Sequence, residues 1–180
     1  MKTLHRKIAA AAFALAGIGA AAAKSEDKAA QMPAEIAAML KEHLGSWRTE
    51  GQWISRGKAQ PAKATWECQP AVGGLGNVCT WHHEWADRPA DAALEIMGYD
   101  ADQKTMRITR VTDRGAIRSV TPSVSGNTMT VRWESVDDGK TTVGFNEVIV
   151  KAPGEWVQHM TVDVGGERVT EMNATHRRVK

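Results

Sequence analysis

The chain has 180 residues, 42% of them hydrophobic and 24% charged, and its formal net charge is only +2. A charge this close to zero excludes a strongly basic protein held on nucleic acid by electrostatic attraction. Seven tryptophans accompany two phenylalanines and one tyrosine. The aromatic core must therefore be built mainly of indoles, whose N–H groups need partners when they are buried.

The N-terminus has the pattern of a secretory signal peptide. Lys2, Arg6 and Lys7 precede an apolar run over 8–20, and the alanines at 21 and 23 form the small-x-small motif that signal peptidase accepts. We predict a signal peptide at residues 1–23 and a periplasmic or secreted protein. The alternative is an uncleaved N-terminal anchor, which the short apolar run disfavours because a membrane span needs ~20 residues.

Cleavage changes the charge and the size of the protein. Loss of the three basic residues lowers the net charge from +2 to −1 and leaves about 157 residues, enough for one domain with its own core. We therefore expect no nucleic-acid partner and no stable membrane insertion of the mature chain. The sequence leaves the oligomeric state open.

The mature chain begins with a lead-in and one helix. Residues 24–32 are charged and rich in alanine, which predicts a flexible segment. Pro33 then opens a helix that Gly45 ends. The apolar stripe of this helix consists of Ile36, Met39, Leu40 and Leu44. We expect the helix to cap or flank a single domain over 33–180.

After Gly45 the hydrophobic period changes from helical to two. Apolar and polar residues alternate over 47–53, 64–68, 79–85 and 129–133, which predicts antiparallel strands with one buried face. Turn signals such as Arg56-Gly57-Lys58 recur and divide 46–178 into about ten strands. We predict a mostly β fold, an antiparallel up-and-down β-barrel with one short N-terminal helix, because a long sheet loses its edges by curling.

The two cysteines are predicted to form a disulfide. Cys68 and Cys79 lie on either side of the turn at Gly73-Gly74, so they face each other on neighbouring strands. An oxidising compartment favours this pairing over a metal site, which needs more ligands at closer spacing.

The tryptophans indicate a binding function. All seven fall on the apolar face of their strands, and a closed sheet brings that face together around an interior. Gly51 and Ala64 on the same face leave space there. We predict a cavity for a small, largely apolar or amphipathic molecule. The candidate ligand-binding residues are Trp47, Trp53, Trp66, Trp81, His83, Trp85, Arg110, Trp133, Glu147 and Trp156.

Three of these candidates are polar. Strand parity places His83, Arg110 and Glu147 on the apolar face, where unpaired charges are costly. These residues would hold the polar end of a ligand, or Arg110 and Glu147 would form an ion pair with each other. A single β-bulge would reverse the faces of a strand and move any of the three to the surface. Two other functions stay open: a small-barrel enzyme that uses these three residues, and a structural barrel filled by tryptophans.

No cofactor is expected. Adjacent strand residues point to opposite faces, so His82 and His83 cannot share a metal ion, and His82 with Glu84 is predicted to be a surface pair. Hydrolase and nucleotide-binding motifs are absent from the sequence. Haem is the alternative, with His176 as its ligand, but no apolar cradle is visible around His176 in the sequence.

Several short motifs occur in an order that resembles a known family. They are Leu44-Gly45-Ser46-Trp47, Met97-Gly98-Tyr99-Asp100, Glu155-Trp156-Val157 and Thr175-His176-Arg177-Arg178. Over roughly 34–178 the chain resembles the bacterial "domain of unknown function 1579" family, and its opening is similar to that of lipocalin-like barrels. The resemblance implies a lipocalin-like barrel and supplies no catalytic residues. Nitrobindin-type haem barrels are more distantly similar.

We expect the exported protein to begin at Lys24, because cleavage after Ala23 follows the small-x-small motif. N-terminal sequencing of protein recovered from outside the cytoplasm measures this directly. Recovery of a mature protein that still carries Met1 would support the anchor instead.

Overall fold

The structure is a computed structural model that describes residues 32–71, 73–86 and 89–179. The predicted signal peptide, and the lead-in up to residue 31, lie outside the described residues. Within those ranges no helix has the length and apolar character needed to cross a membrane. The described chain forms α1 (Ala34–His43), β1 (Gly45–Ser55), β2 (Lys58–Pro70), β3 (Gly76–Glu84), β4 (Asp91–Asp100), β5 (Thr105–Thr112), β6 (Ile117–Val120), β7 (Ser123–Ser125), β8 (Thr128–Asp137), β9 (Lys140–Ala152), β10 (Glu155–Val164) and β11 (Glu167–Arg178).

The strands form one antiparallel sheet in the order β6-β5-β4-β3-β2-β1-β11-β10-β9-β8-β7. Each strand is a neighbour of the strand that follows it, except at β6 and β7, and β1 pairs with β11 to join the two halves. The sheet curls until β6 comes close to β8, but the described strands β6 and β7 stay at its two edges without pairing with each other. The closed barrel predicted from the sequence is therefore a curled half-barrel. The prediction of a mostly β, antiparallel meander with one helix is confirmed.

The predicted number of about ten strands was slightly low. The extra break lies at Thr121–Pro122, which separates the short strands β6 and β7 at the two edges of the sheet. Proline has no N–H to donate to a strand ladder, so it interrupts the pairing even without a glycine or asparagine turn signal.

Tight hairpin turns connect the long strands. Asp138 and Gly139 both have positive φ, at 48° and 73°, as do Arg56 and Gly57, at 47° and 76°. Two successive residues with positive φ are typical of type I′ turns, whose twist matches that of the flanking strands. These turns set the register that places alternate residues on the inner face.

The sheet holds the C-terminal end of α1 through the helix carbonyl groups. The last four carbonyls of a helix have no partner within the helix. Here Leu40 O accepts from Asn77 Nδ2, Lys41 O from the Leu44 N–H, Glu42 O from Arg178 Nη2 and His43 O from Trp47 Nε1. The helix is thereby fixed over one end of the barrel with Ile36, Met39, Leu40 and His43 buried.

The predicted disulfide is present between β2 and β3. Cys68 and Cys79 are direct cross-strand partners, and their Cα atoms are 4.1 Å apart. Cys79 is fully buried, in the same core cluster as Met97 and Met106. The disulfide therefore lies inside the core, near α1.

We expect the Cys68→Ala/Cys79→Ala double variant to lose roughly 3 kcal/mol of unfolding free energy, because the unfolded chain is released from a closed loop. Urea denaturation of the variant and of the oxidised wild type measures the difference. Adding a reductant should destabilise the wild type and leave the variant unchanged; equal midpoints for all samples would contradict the prediction.

Candidate functional site

Burial of the inward-facing side chains changes along the strands. On β1, Trp47 is 1% exposed, whereas Trp53 is half-buried; on β3, Cys79 is buried and His83 is half-buried. Burial likewise decreases from Met106 to Arg110 on β5, from Met129 to Trp133 on β8 and from His176 to Met172 on β11. The interior therefore has a closed end beneath α1, around Trp47, Trp66 and Trp156, and an open end around Trp53, Trp81, Trp85 and Trp133.

Three indoles stack in a row across β1, β2 and β3. Trp47, Trp66 and Trp81 are cross-strand partners, with ring centroids 4.8 Å apart for the first pair and 4.6 Å for the second. A guanidinium lies over each end of the row, Arg178 at 4.8 Å from Trp47 and Arg110 at 5.0 Å from Trp81. Ring stacking and cation–π attraction thus connect the closed end to the open end.

The open end combines large aromatic rings with small residues. Trp53 and Trp85 meet edge to face at 5.4 Å. Trp133 covers Gly144 on β9, where a Cβ atom would collide with the indole ring. Gly51 pairs with Ala174, so β1 and β11 project little bulk between these walls. The inner face at this end therefore places aromatic rings on either side of small residues.

One wall of the open end carries a polar cluster. Arg110 Nη2 lies 2.9 Å from His83 Nε2, and His83 Nδ1 lies 2.8 Å from the Asp91 carboxylate. A guanidinium can only donate, so Nε2 of His83 accepts and the ring proton is on Nδ1, facing Asp91. Glu95 lies 4.0 Å from Arg110, and Trp85 Nε1 donates to Asp91.

Burial sets the charges of this cluster. Desolvation raises the pKa of Glu95, and the facing Arg110 and Trp81 N–H offset only part of that effect. Desolvation, together with the charge of Arg110, lowers the pKa of His83 although Asp91 acts in the opposite direction. His83 is therefore neutral at pH 7, as its hydrogen-bond pattern requires.

A chain of hydrogen bonds crosses the interior from the closed end. Trp66 Nε1 donates to Thr49 Oγ1 (3.2 Å), and Thr49 Oγ1 lies 2.7 Å from His176 Nδ1. His176 Nε2 lies 3.0 Å from Gln158 Oε1, and Gln158 Nε2 donates to Asn146 Oδ1 at 2.7 Å. The chain joins β2, β1, β11, β10 and β9.

Two histidines in the closed end are kept neutral. Desolvation lowers the pKa of His176 to about 4 and that of His43 to about 3. Both ring nitrogens of His176 are hydrogen-bonded, so neither is free to bind the iron of a haem. His43 donates from Nδ1 to the Met39 carbonyl, and its ring lies 3.9 Å from that of Trp156.

The structure divides the predicted tryptophans into two groups. Trp53, Trp81, Trp85 and Trp133 lie at the open end with His83 and Arg110. Trp47, Trp66 and Trp156 are core residues instead, because α1 and each other's rings cover them. The prediction that all seven line one cavity was therefore too broad.

The inward placement of Glu147 was wrong. Glu147 is paired with His159, on the face opposite Trp156 and Gln158, and it shares an open outer groove of about 390 Å³ with Glu50 and His159. Gly144 and Asn146 occupy the inner face of β9, since Trp133 needs a glycine beneath it. Glu147 therefore meets neither Arg110 nor His83.

Sequence reasoning missed four interior polar residues: Thr49, Asn146, Glu95 and Asp91. It also treated His176 as lacking an apolar surrounding, whereas this histidine lies among Trp66, Trp81 and Trp156. The alternation of Met172, Ala174 and His176 on one face was the signal that could have placed it inside. His82 is exposed, and among the described residues no cluster of histidines, cysteines and carboxylates could hold a metal ion.

Comparisons with known proteins bear on the fold alone. No known family's sequence profile matches the chain, and no curated protein matches it in sequence. The resemblance to the "domain of unknown function 1579" family therefore stays a prediction.

The chain also matches solved structures at low sequence identity. The S-type phycobiliprotein lyase of Guillardia theta superimposes with a TM-score of 0.57 at 11% identity, covering 87% of this chain and 97% of that one. The chain thus shares the lipocalin-like fold of that lyase. A protein of unknown function of the DUF3598 family from Nostoc punctiforme aligns over 82% of this chain and 100% of its own, at 7% identity and a TM-score of 0.27, too low to carry an argument.

We expect acid to destabilise the protein as the pH falls from 6.5 towards 4. In this window the unfolded chain protonates at position 176 while the folded protein does not, so protons favour unfolding. His176→Gln can accept from Thr49 and donate to Gln158 without titrating. Between pH 6.5 and pH 4 this variant should therefore lose less unfolding free energy than the wild type, by on the order of 3 kcal/mol. Urea denaturation at a series of pH values measures the difference.

The exposed His82→Gln variant is the matched control and should follow the wild type. Because the pKa of Glu95 is raised in the folded protein, protonation of Glu95 favours folding at low pH. This opposing effect on stability is the same in the wild type and in both variants. Identical pH profiles for His176→Gln and the wild type would show that His176 is not held neutral by folding.

Proposed function

We propose that this protein is an exported barrel that binds a small, largely apolar or amphipathic molecule in the open end of its interior. The half-buried state of Trp53, Trp81, Trp85 and Trp133 carries the proposal. Indoles on the inner face of a filled barrel are fully buried, as Trp47 is. Aromatic side chains around a concave, partly open site are typical of ligand pockets.

The polar cluster on one wall supports an amphipathic ligand. Arg110 is partly exposed and stacks on Trp81, and its carboxylate partner among the described residues, Glu95, is 4.0 Å away. An apolar ring or chain would lie against the indoles, and its polar end would face Arg110 and His83. Burial of the apolar part would supply most of the affinity.

Two observations support export. Residues 1–23 have the charge and hydropathy pattern of a signal peptide, and the Cys68–Cys79 disulfide suits an oxidising compartment. The shared fold with a phycobiliprotein lyase supports the proposal only through the architecture, which encloses an interior.

A second candidate function is catalysis at His83. The pair with Asp91 orients the ring with its Nε2 lone pair facing away from the carboxylate, as a general base requires. Arg110 occupies that lone pair, so the base would act only after a ligand draws Arg110 away. Glu147 lies on the outer face and takes no part.

We expect an apolar fluorophore such as N-phenyl-1-naphthylamine to bind the mature protein with increased emission. Trp53→Ala and Trp133→Ala should each weaken binding about tenfold, since each removes apolar contact worth roughly 1.5 kcal/mol. Fluorescence titration measures the dissociation constants.

Ile96→Ser and Ile117→Ser are the controls, because both isoleucines are exposed on the outer face. They should leave the affinity unchanged. If the outer variants weaken binding, the dye adsorbs to the surface; if no dye binds, the structural barrel is the better explanation.

A further inference from the structure

We propose that the ligand carries a carbonyl or carboxylate oxygen and that the Asn146 side-chain N–H holds this oxygen. The inference rests on the proposed function and adds the chemical class of the ligand. It follows from the direction of the hydrogen-bond chain between Trp66 and Asn146.

The direction of the chain is fixed at its first member. The indole N–H of Trp66 can only donate, so Thr49 Oγ1 accepts it. The buried Thr49 hydroxyl still has one proton to donate, and His176 Nδ1 is the one acceptor that the described residues place within reach of it. Neutral His176 then has its proton on Nε2 and donates to Gln158 Oε1. Each step therefore allows one orientation of the next group.

The same logic fixes the two amides. Gln158 accepts at Oε1, so its Nε2 donates to Asn146 Oδ1. Asn146 is left with two N–H donors on Nδ2, for which the described residues provide no acceptor. The free groups of Asn146, the last residue of the hydrogen-bond chain, are therefore N–H donors. A flipped amide at Gln158 or Asn146 is excluded, because it would place two oxygens or two N–H groups against each other.

The position of this donor is at the open end. Asn146 is half-buried and lies across the ladder from Met160 on one side and Val131 on the other. Its neighbours along β9 are Gly144, beneath the Trp133 ring, and Val148. Asn146 Nδ2 is not among the fully buried polar atoms that lack a partner, so water reaches it in the unliganded protein and a ligand oxygen would replace that water.

The donor selects a particular ligand chemistry. A carbonyl or carboxylate oxygen satisfies it, whereas an ammonium group or a bare hydrocarbon does not. Arg110 belongs to the polar cluster on β5, so a carboxylate could bind there instead. A neutral ketone distinguishes the Asn146 site from the Arg110 site, because a ketone gains much less binding energy from a guanidinium than a carboxylate does.

The test uses two dyes of the same skeleton: 6-propionyl-2-dimethylaminonaphthalene, a ketone, and 6-propyl-2-dimethylaminonaphthalene, which lacks the oxygen. The mature protein should bind the ketone three- to tenfold more tightly, as one neutral hydrogen bond predicts. Asn146→Leu should abolish this preference and shift the ketone emission to shorter wavelength. Asn146→Asp should weaken ketone binding further, because a carboxylate repels the carbonyl.

Asn173→Leu is the matched control, since Asn173 is an amide on the outer face bonded to His159 and Glu171. It should keep the preference. Should Asn146→Leu fail to fold by circular dichroism, Thr49→Val breaks the chain at its other end and should reduce the preference, whereas Thr49→Ser should retain it.

The outcomes separate the two proposals. Equal binding of both dyes to the wild type, weakened by Trp133→Ala, overturns the role of Asn146 and leaves the binding function standing. A ketone preference that survives Asn146→Leu also overturns it. Binding of neither dye overturns both proposals. A preference lost in Asn146→Leu and kept in Asn173→Leu establishes the carbonyl site.

Discussion

The stacked row of Trp47, Trp66 and Trp81 is the interaction on which the other features depend. Because the three residues share one register across β1, β2 and β3, their rings form a continuous wall. Each indole also has a separate task. Trp47 holds the helix through the His43 carbonyl, Trp66 starts the interior hydrogen-bond chain, and Trp81 supports Arg110 at the open end. A slip of one residue in β2 would turn Trp66 outward and separate all three features at once.

The helix makes the two ends of the barrel unequal. It adds Ile36, Met39 and Leu40 to the indoles at one end, where the tryptophan, methionine and disulfide side chains fill the space. The opposite rim has no such cover among the described residues, and it is there that half-buried aromatic rings lie beside His83 and Arg110. The two buried histidines at the closed end, His43 and His176, are neutral. The ionic side chains, in the Arg178–Glu42 pair near α1 and in the Arg110 cluster at the open end, are partly exposed.

Much of this architecture could be predicted from alternation and turn chemistry. The tryptophan strands, the helix from Pro33 and the Cys68–Cys79 pair each depend on local patterns, and all three were predicted correctly. The face of β9 could not be predicted, because Phe145 and Ile149 make its outer side look apolar. The outer face tolerates Phe145 since Arg132 lies over the ring at 4.7 Å, and Trp133 requires a glycine inside. Both reasons depend on β8, so the sequence of β9 alone cannot reveal them. The hydrogen-bond partners of His176, Thr49 and Gln158, lie on two other strands and were hidden for the same reason.

The C-terminal strand β11 lies in the middle of the sheet, between β1 and β10. The ladder that joins the two halves therefore links residues far apart in sequence, such as Thr49 and His176, which are 127 positions apart. Until β11 is available, β1 and β10 each lack one of their two neighbours, and the two halves of the sheet cannot join. Such long-range pairing slows folding, and it keeps the partly synthesised chain open. For a chain threaded through a membrane before it folds, this late closure would serve as a delay that prevents premature compaction.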